Sequence, residues 1–147
     1  MAYNSNNKGG KKPFKREPKE FEEQVIQIAR VTKVVKGGRR LRFRATVAVG
    51  NRKGKIGVGI GKSKEVTGAI HKAIAKAKKE MVTVVLDGGT IPHVVDMKLK
   101  SSNIRILPAA PGTGLIAGST IRKVLELAGI KDILSKSYGT TNKVNNT

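Results

Sequence analysis

The first half of the chain alternates between apolar and polar residues, then changes to helical spacing. Phe21 to Val35, "FEEQVIQIARVTKVV", sets Val and Ile among polar residues and predicts a first strand. Lys36, Gly37 and Gly38 follow, and two glycines favour a tight hairpin because positive φ costs glycine little. From Arg39 to Val49 the alternation is strict. Leu41, Phe43, Ala45, Val47 and Val49 share one face of a second strand, and Arg40, Arg42 and Arg44 share the other. Such a strand packs through one face and presents a row of guanidinium groups on the other.

A basic turn, "GNRKGK" (Gly50 to Lys55), leads into "IGVGIGKS", which ends like a nucleotide-binding phosphate loop. That loop requires Gly, four residues, then Gly-Lys-Ser or Gly-Lys-Thr, and the position that needs the first glycine holds Ile56. A strand's period orders the same residues: Ile56, Val58 and Ile60 point one way, Gly57, Gly59 and Gly61 the other. The glycine face is bare, so another backbone can come close to it. Ser63 then stands where a helix N-cap belongs, with Glu65 near the positive helix end; a full capping box fails because Val66 occupies its acidic position. Val66, Ile70, Ala73, Ile74, Ala77 and Met81 keep helical spacing and predict a helix of about five turns on the sheet, with Lys72, Lys76 and Lys79 along its solvent side.

"LDGGTIP" (Leu86 to Pro92) breaks the pattern and marks a domain boundary. Beyond it, Val95, Met97 and Leu99 alternate with Asp96, Lys98 and Lys100, and a short run from Ile104 to Leu107 ends at Pro108, so two strands are expected. Glycine-rich "PAAPGTGLIAGS" precedes a second helix carrying Ile121, Val124, Leu125 and Ala128 on one face and Gly129 as its stop. A last strand, Ile133 to Tyr138, precedes a polar tail. The class is α+β: residues 1–20 form a disordered basic arm, 21–86 a β-β-β-α domain, and 87–147 a second small domain with the tail. Each half is about 55 to 65 residues, a size at which a single core is marginal and leans on partners.

Charge changes this picture most. The 147 residues carry 30 Lys plus Arg against 10 Asp plus Glu, a formal charge of +20, which demands a polyanionic partner. Residues 21–86 hold sixteen of the basic groups and four of the acidic ones, so the first domain is the electrostatic centre. Cysteine is absent, which excludes disulfides, thiolate metal sites and thiol nucleophiles. No run approaches the roughly 18 apolar residues of a membrane-spanning helix, and the first twenty residues lack the apolar centre of a signal peptide.

Catalytic groups are sparse. His71 and His93 have no cysteine and few carboxylates nearby in sequence, and Asp87, Asp96, Glu126 and Asp132 are scattered among lysines as solvated ion pairs are. No enzyme activity, cofactor, metal or small-molecule substrate is expected. The glycine-rich lead-in to the second helix admits two readings, an anion site at the helix N-terminus or a surface on which another protein approaches the backbone of Gly112, Gly114 and Gly118.

Nucleic-acid binding is the strong signal. Aromatic residues number five, so base stacking is a minor resource. Rows of arginine and basic turns contact phosphates and sugars, which fix position without reading sequence, so the partner is structured, duplex-rich nucleic acid. The residues expected to hold its phosphates are Lys33, Lys36, Arg39 and Arg40 about the first turn with Gly37 and Gly38, Arg42 and Arg44 on the strand, Arg52, Lys53 and Lys55 in the second turn, and Lys62 and Lys64 at the helix start.

The run from "FEEQVIQIARVTKVVKGGRRLRFRATVAVGNRKGKIGVGIGKSKE" to "AIHKAIAKAKK" resembles the N-terminal domain of the bacterial small-subunit ribosomal protein S-five family, and "PAAPGTGLIAGSTIRKVLELAGIKDILSKSYGTTN" resembles its C-terminal domain. The resemblance implies a double-stranded-RNA-binding-like first domain and a small α/β two-layer second domain with a left-handed β-α-β crossover. It implies a structural role on small-subunit rRNA in the cytoplasm, near the junction of body and head, beside the S-four protein and close to where mRNA enters with the S-three protein. The loop matching Val35 to Arg40 is associated in the family with spectinomycin sensitivity. The region matching Gly112 to Arg122 is associated with the S-four contact and decoding accuracy, which makes Gly112, Thr113, Gly114 and Arg122 candidate protein-contact residues. Two departures from the family are expected: where it usually continues past "YGTTNKVNN" with a helix that closes the second domain this sequence stops at Thr147, which implies either a shortened form or cover by neighbouring subunits, and "GNRKG" stands where many relatives have a longer, acidic turn.

Overall fold

The computed structural model describes residues 20–147, so the expected basic arm lies, apart from Glu20, outside the described residues. The elements run β1 (Glu22–Val35), β2 (Gly38–Gly50), β3 (Lys55–Ser63), α1 (Val66–Lys79), β4 (Val82–Thr83), β5 (Val95–Leu99), β6 (Ser102–Pro108), β7 (Leu115–Ile116), α2 (Ser119–Ala128) and β8 (Ile133–Gly139). They form two four-stranded sheets, ordered β1-β2-β3-β4 and β5-β6-β8-β7. The α+β class expected from the sequence is the one observed.

β1 and β2 pair antiparallel from Glu22 opposite Gly50 to Val35 opposite Gly38, with one register shift between Val25 and Gln27. Their hairpin turns on Lys36 and Gly37, and Gly37 takes φ 87°, a left-handed conformation that a Cβ would oppose. One face of the inner half of β2 packs on α1. Ala45, Val47 and Val49 meet Ala69, Ala73 and Ala77, with Phe43, Ile70, Ile74 and Met81 around them. The bare glycine face of β3 makes this closeness possible. A Cβ on Gly57, Gly59 or Gly61 would overlap the backbone carbonyl of Ala77, Ala73 or Ala69 respectively. Glycine inside a strand costs about 0.5–1 kcal/mol relative to alanine, and here the cost is offset by dispersion contacts along a helix lying directly on the sheet.

Three expectations about this helix need correction. Its buried line is Ala69, Ala73 and Ala77, while Ile70, Ile74 and Met81 are only partly buried, because a glycine surface accepts small side chains at the centre of the contact. It has 14 residues, about four turns. Ser63 is not the N-cap: it still pairs with Phe43 as the last residue of β3, and Glu65, with φ −112° and ψ 150°, holds the cap position without a side-chain hydrogen bond.

The opposite face of the sheet is also covered, but only at one end. There Ala48, Ile56 and the partly buried Val58 join Ile121, Leu125, Leu127 and Ala128 of α2, with Ile91, Ile130 and Ile133, in a core that spans both halves of the chain. Ile104, Ile106 and Leu115 of the second sheet close it from beyond, so α2 is gripped between the sheets. The segment Leu86 to Pro92, placed at the domain boundary from composition, contributes Leu86 and Ile91 to this core, and Val84 just before it joins them. The turn after β2 reinforces the junction. The Asn51 carboxamide accepts from the amides of Lys53 (2.8 Å) and Lys55 (3.0 Å). The amides of Arg52 and Gly54 donate to the carbonyls of Leu127 and Ala128, both at 2.9 Å. Gly129 ends α2 at φ 92°, as its place in the sequence predicts, and a side chain there would strike the Arg52 carbonyl.

β4 and β7, two residues each, have no counterpart in the sequence reading because so short a run carries no periodicity. β7 runs parallel to β8, Leu115 opposite Ile133, and α2 makes the crossover between them.

Candidate nucleic-acid interface

Strand register decides which cations act together. Lys33 lies opposite Arg40, Val31 opposite Arg42, and Ala29, Arg44 and Lys62 form one row across three strands. Residues opposite one another share a face, so Lys33, Arg40, Arg42, Arg44 and Lys62 all project from the same side of the sheet. This is the side that α2 covers farther along, and beyond Arg44 it becomes the buried sequence of Thr46 and Ala48. The basic face is therefore the uncovered half of a surface whose other half is core.

All of these cations except Arg44 line two adjoining clefts. One, of about 360 Å³, is walled by Val31, Thr32, Lys33, Val35, Arg40, Arg42 and Lys62. The other, of about 380 Å³, is walled by Arg42, Lys62, Ser63, Lys64, Glu65 and Lys72. Arg42 and Lys62 belong to both. Among the described residues the ion pairs link Arg52, Lys76, Lys78 and Arg105 to carboxylates, and none involves a cation of these clefts. A concave surface with unneutralised cations focuses positive potential and favours an anion from outside.

The remaining expected residues separate into other places. Lys36, Gly37 and Gly38 form the exposed hairpin tip, while Arg39, opposite Val34, projects from the other face of the sheet than Arg40. Arg52, Lys53 and Lys55 sit at the far end of β3 from Lys62, about 25 Å along the strand. Lys53 and Lys55 are exposed. The Arg52 guanidinium is bound within the chain: Nε lies 2.9 Å and Nη2 2.8 Å from Glu22 Oε2, with Glu126 Oε1 at 3.8 Å. Lys72, expected on the free side of the helix, instead reaches the second cleft. The sequence did contain a signal for this, since a bare glycine at Gly61 lets α1 settle until the Lys72 root touches the sheet.

In the lead-in to α2 the amides of Gly112 and Gly114 donate to Asp132 Oδ1 at 3.0 and 2.8 Å, so these two amides are taken by the chain's own carboxylate, while the N-cap Gly118 carries no side-chain cap hydrogen bond. Thr113 donates from its hydroxyl to the Ala110 carbonyl at 2.7 Å. Gly112, Thr113 and Arg122 are exposed, and open space surrounds the α-carbons of Gly112 and Gly114. The loop is a solvent-facing turn tied by these hydrogen bonds.

Other titratable groups do not converge. His71 and His93 are exposed, and among the described residues no three His, Cys, Asp or Glu side chains are grouped to hold a metal. Asp96 on β5 and Arg105 on β6 form a two-point pair across the second sheet, Nε–Oδ1 2.7 Å and Nη2–Oδ2 2.9 Å. The hydrogen bonds from Arg105 hold the Asp96 carboxyl below its ordinary range, and the same bonds raise Arg105. Residues 59–63, which mimic a phosphate loop, are extended strand paired to β2, so their amides are not gathered around an anion. Among the described residues no helix is long and apolar enough to cross a membrane.

Residues 21–85 match the family model described as ribosomal protein S5, N-terminal domain, and residues 97–147 match ribosomal protein S5, C-terminal domain. Small ribosomal subunit protein uS5 of Campylobacter jejuni is 58% identical over 126 residues, 86% of this chain and 86% of the relative. The protein of the same name from Thermotoga neapolitana is 55% identical over 126 residues, 86% of this chain and 71% of the relative. With both domain models matched in order and this identity over most of the chain, the chain belongs to the ribosomal protein S5 family.

Proposed function

We propose that the chain is a structural constituent of the small ribosomal subunit that holds folded rRNA by its phosphates through the face bearing Lys33, Arg40, Arg42, Arg44 and Lys62. The observation that carries this reading is that those cations, drawn from three strands, share one face, that all but Arg44 line two joined clefts, and that none forms an ion pair among the described residues. Phosphate contacts position a protein without reading bases, which suits a protein that sits at one place on one large RNA. The exposed hairpin tip of Lys36 to Gly38, with Lys64, supplies further contacts bordering this face, and Arg39 on the opposite face and Lys53 and Lys55 at the far end of β3 supply contacts of their own. The role is architectural, not catalytic, and its place is the ribosome in the cytoplasm, near the body and head junction and the path where mRNA enters. The turn of Gly112, Thr113 and Gly114 with Arg122 is the surface for a neighbouring ribosomal protein of the S-four family, and the S-three protein lies nearby.

Replacing Arg42 and Arg44 together with Ala tests the reading. Affinity for a small-subunit rRNA transcript falls similarly across sequences, and its dependence on the logarithm of salt flattens by about 0.7 to 0.9 per lost phosphate contact. A changed sequence preference with an unchanged salt slope overturns it. Sedimentation separates a resident from a loosely held RNA chaperone: the protein stays with the small subunit through a high-salt wash. Equilibrium dialysis with labelled ATP, showing no binding that depends on Lys62, disposes of the nucleotide-hydrolysing alternative.

A further inference from the structure

We propose that the phosphate track does not end on the sheet but turns round the end of β3 onto α1, where Lys72 holds the next phosphate of the same RNA strand. This rests on the phosphate-holding role of the basic face. The two clefts share Arg42 and Lys62, so an anion chain leaving the first enters the second past cations common to both. Lys72 comes from the other side of the sheet, and its presence in the second cleft follows from the glycine contact: a Cβ on Gly61 would lie 3.1 Å from the Lys72 Cβ.

The edge between them is open. β4 pairs only with Lys55 and Ile56, leaving the outer edge of β3 beside Lys62 without a strand partner. Backbone amides at such an edge are additional donors to phosphate oxygens. Glu65, at the N-cap of α1, walls the same cleft and supplies its one negative charge. The cleft is thus a cationic passage with a built-in opposing group, and binding there is sensitive to single charge changes.

The test measures affinity of the full chain for a small-subunit rRNA transcript across a salt series. Lys72→Ala flattens the slope by about 0.7 to 0.9. Lys79→Ala, the same charge change on the same helix flank about 10 Å farther along, leaves the slope unchanged. Lys72→Arg restores it, and Glu65→Gln tightens binding several-fold. Equal losses for Lys72→Ala and Lys79→Ala overturn the inference, because the general field and not a local contact then accounts for both; so does an unchanged slope with Lys72→Ala. Arg42→Ala, measured alongside, separates the two levels. If Arg42→Ala flattens the slope and Lys72→Ala does not, only the turn onto α1 fails, whereas no effect of Arg42→Ala sinks the phosphate-holding face itself.

Discussion

The carbonyl oxygen of Ala73 occupies the place where a side chain on Gly59 would stand, and the Ala77 amide nitrogen lies 2.7 Å from that same position. Helix and sheet meet there backbone to backbone. Gly59→Ala therefore forces α1 outward, and overpacking of this kind costs about 1–3 kcal/mol. Urea unfolding should show a lower midpoint with an unchanged slope. A midpoint equal to that of the parent protein would overturn this close contact.

Leu125 tests whether the two family domains fold as one. It is 8% exposed in the core that joins Ala48 and Ile56 of the first sheet to Ile133 of the second. Leu125→Ala should cost about 2–5 kcal/mol. Amide exchange should accelerate in β2 and in β6 by the same factor, since both elements lose the same support. Acceleration confined to β6 and β8 would mean that the halves open separately.

Asp132 holds the turn before α2 through two backbone amides. Hydrogen bonds to a charged acceptor contribute about 1.5–3 kcal/mol. Asp132→Ala should therefore loosen residues 111–114, seen as faster amide exchange at Gly112 and Gly114 while β6 is unaffected. Protection that survives the substitution would remove Asp132 from this role.

Asp96 gives a pH dependence with a definite sign. Its folded carboxyl is held low by hydrogen bonds from Arg105. The pair thus stabilises the fold above the unfolded value of about 3.9 and loses that contribution as pH falls through the lowered folded value. The effect is small because both side chains are about half exposed. An NMR titration should find the Asp96 midpoint rising toward its ordinary value in Arg105→Gln, and an unmoved midpoint would point to another cause.

Much of the fold was legible because alternation is a local property. The strict apolar and arginine faces of Arg39 to Val49 appear in β2 as predicted, and the glycines of "IGVGIG" face an approaching backbone as their period requires. Ser63 misled because a capping residue is recognised by type, while the end of a strand is set by its neighbour, here Phe43. The helix stripe misled for a related reason: hydrophobicity ranks isoleucine above alanine, but a glycine surface selects by size. For the candidate site, the cations themselves were all visible in the sequence, whereas their grouping was not. Arg39 and Arg40 are neighbours in the chain and lie on opposite faces, and Arg52 is held by Glu22, thirty positions away.

By itself the sequence determined the α+β class, the dense positive charge, the arginine face of β2 and the bare face of β3, since each depends on residue type and on a repeat a few residues long. Only the tertiary structure decided that α2 covers one half of the arginine-bearing face and leaves the other open. It also decided that Lys72 meets Arg42 and Lys62 in one cleft. Those outcomes depend on contacts between segments far apart in the chain, where burial and charge are set by what arrives from elsewhere.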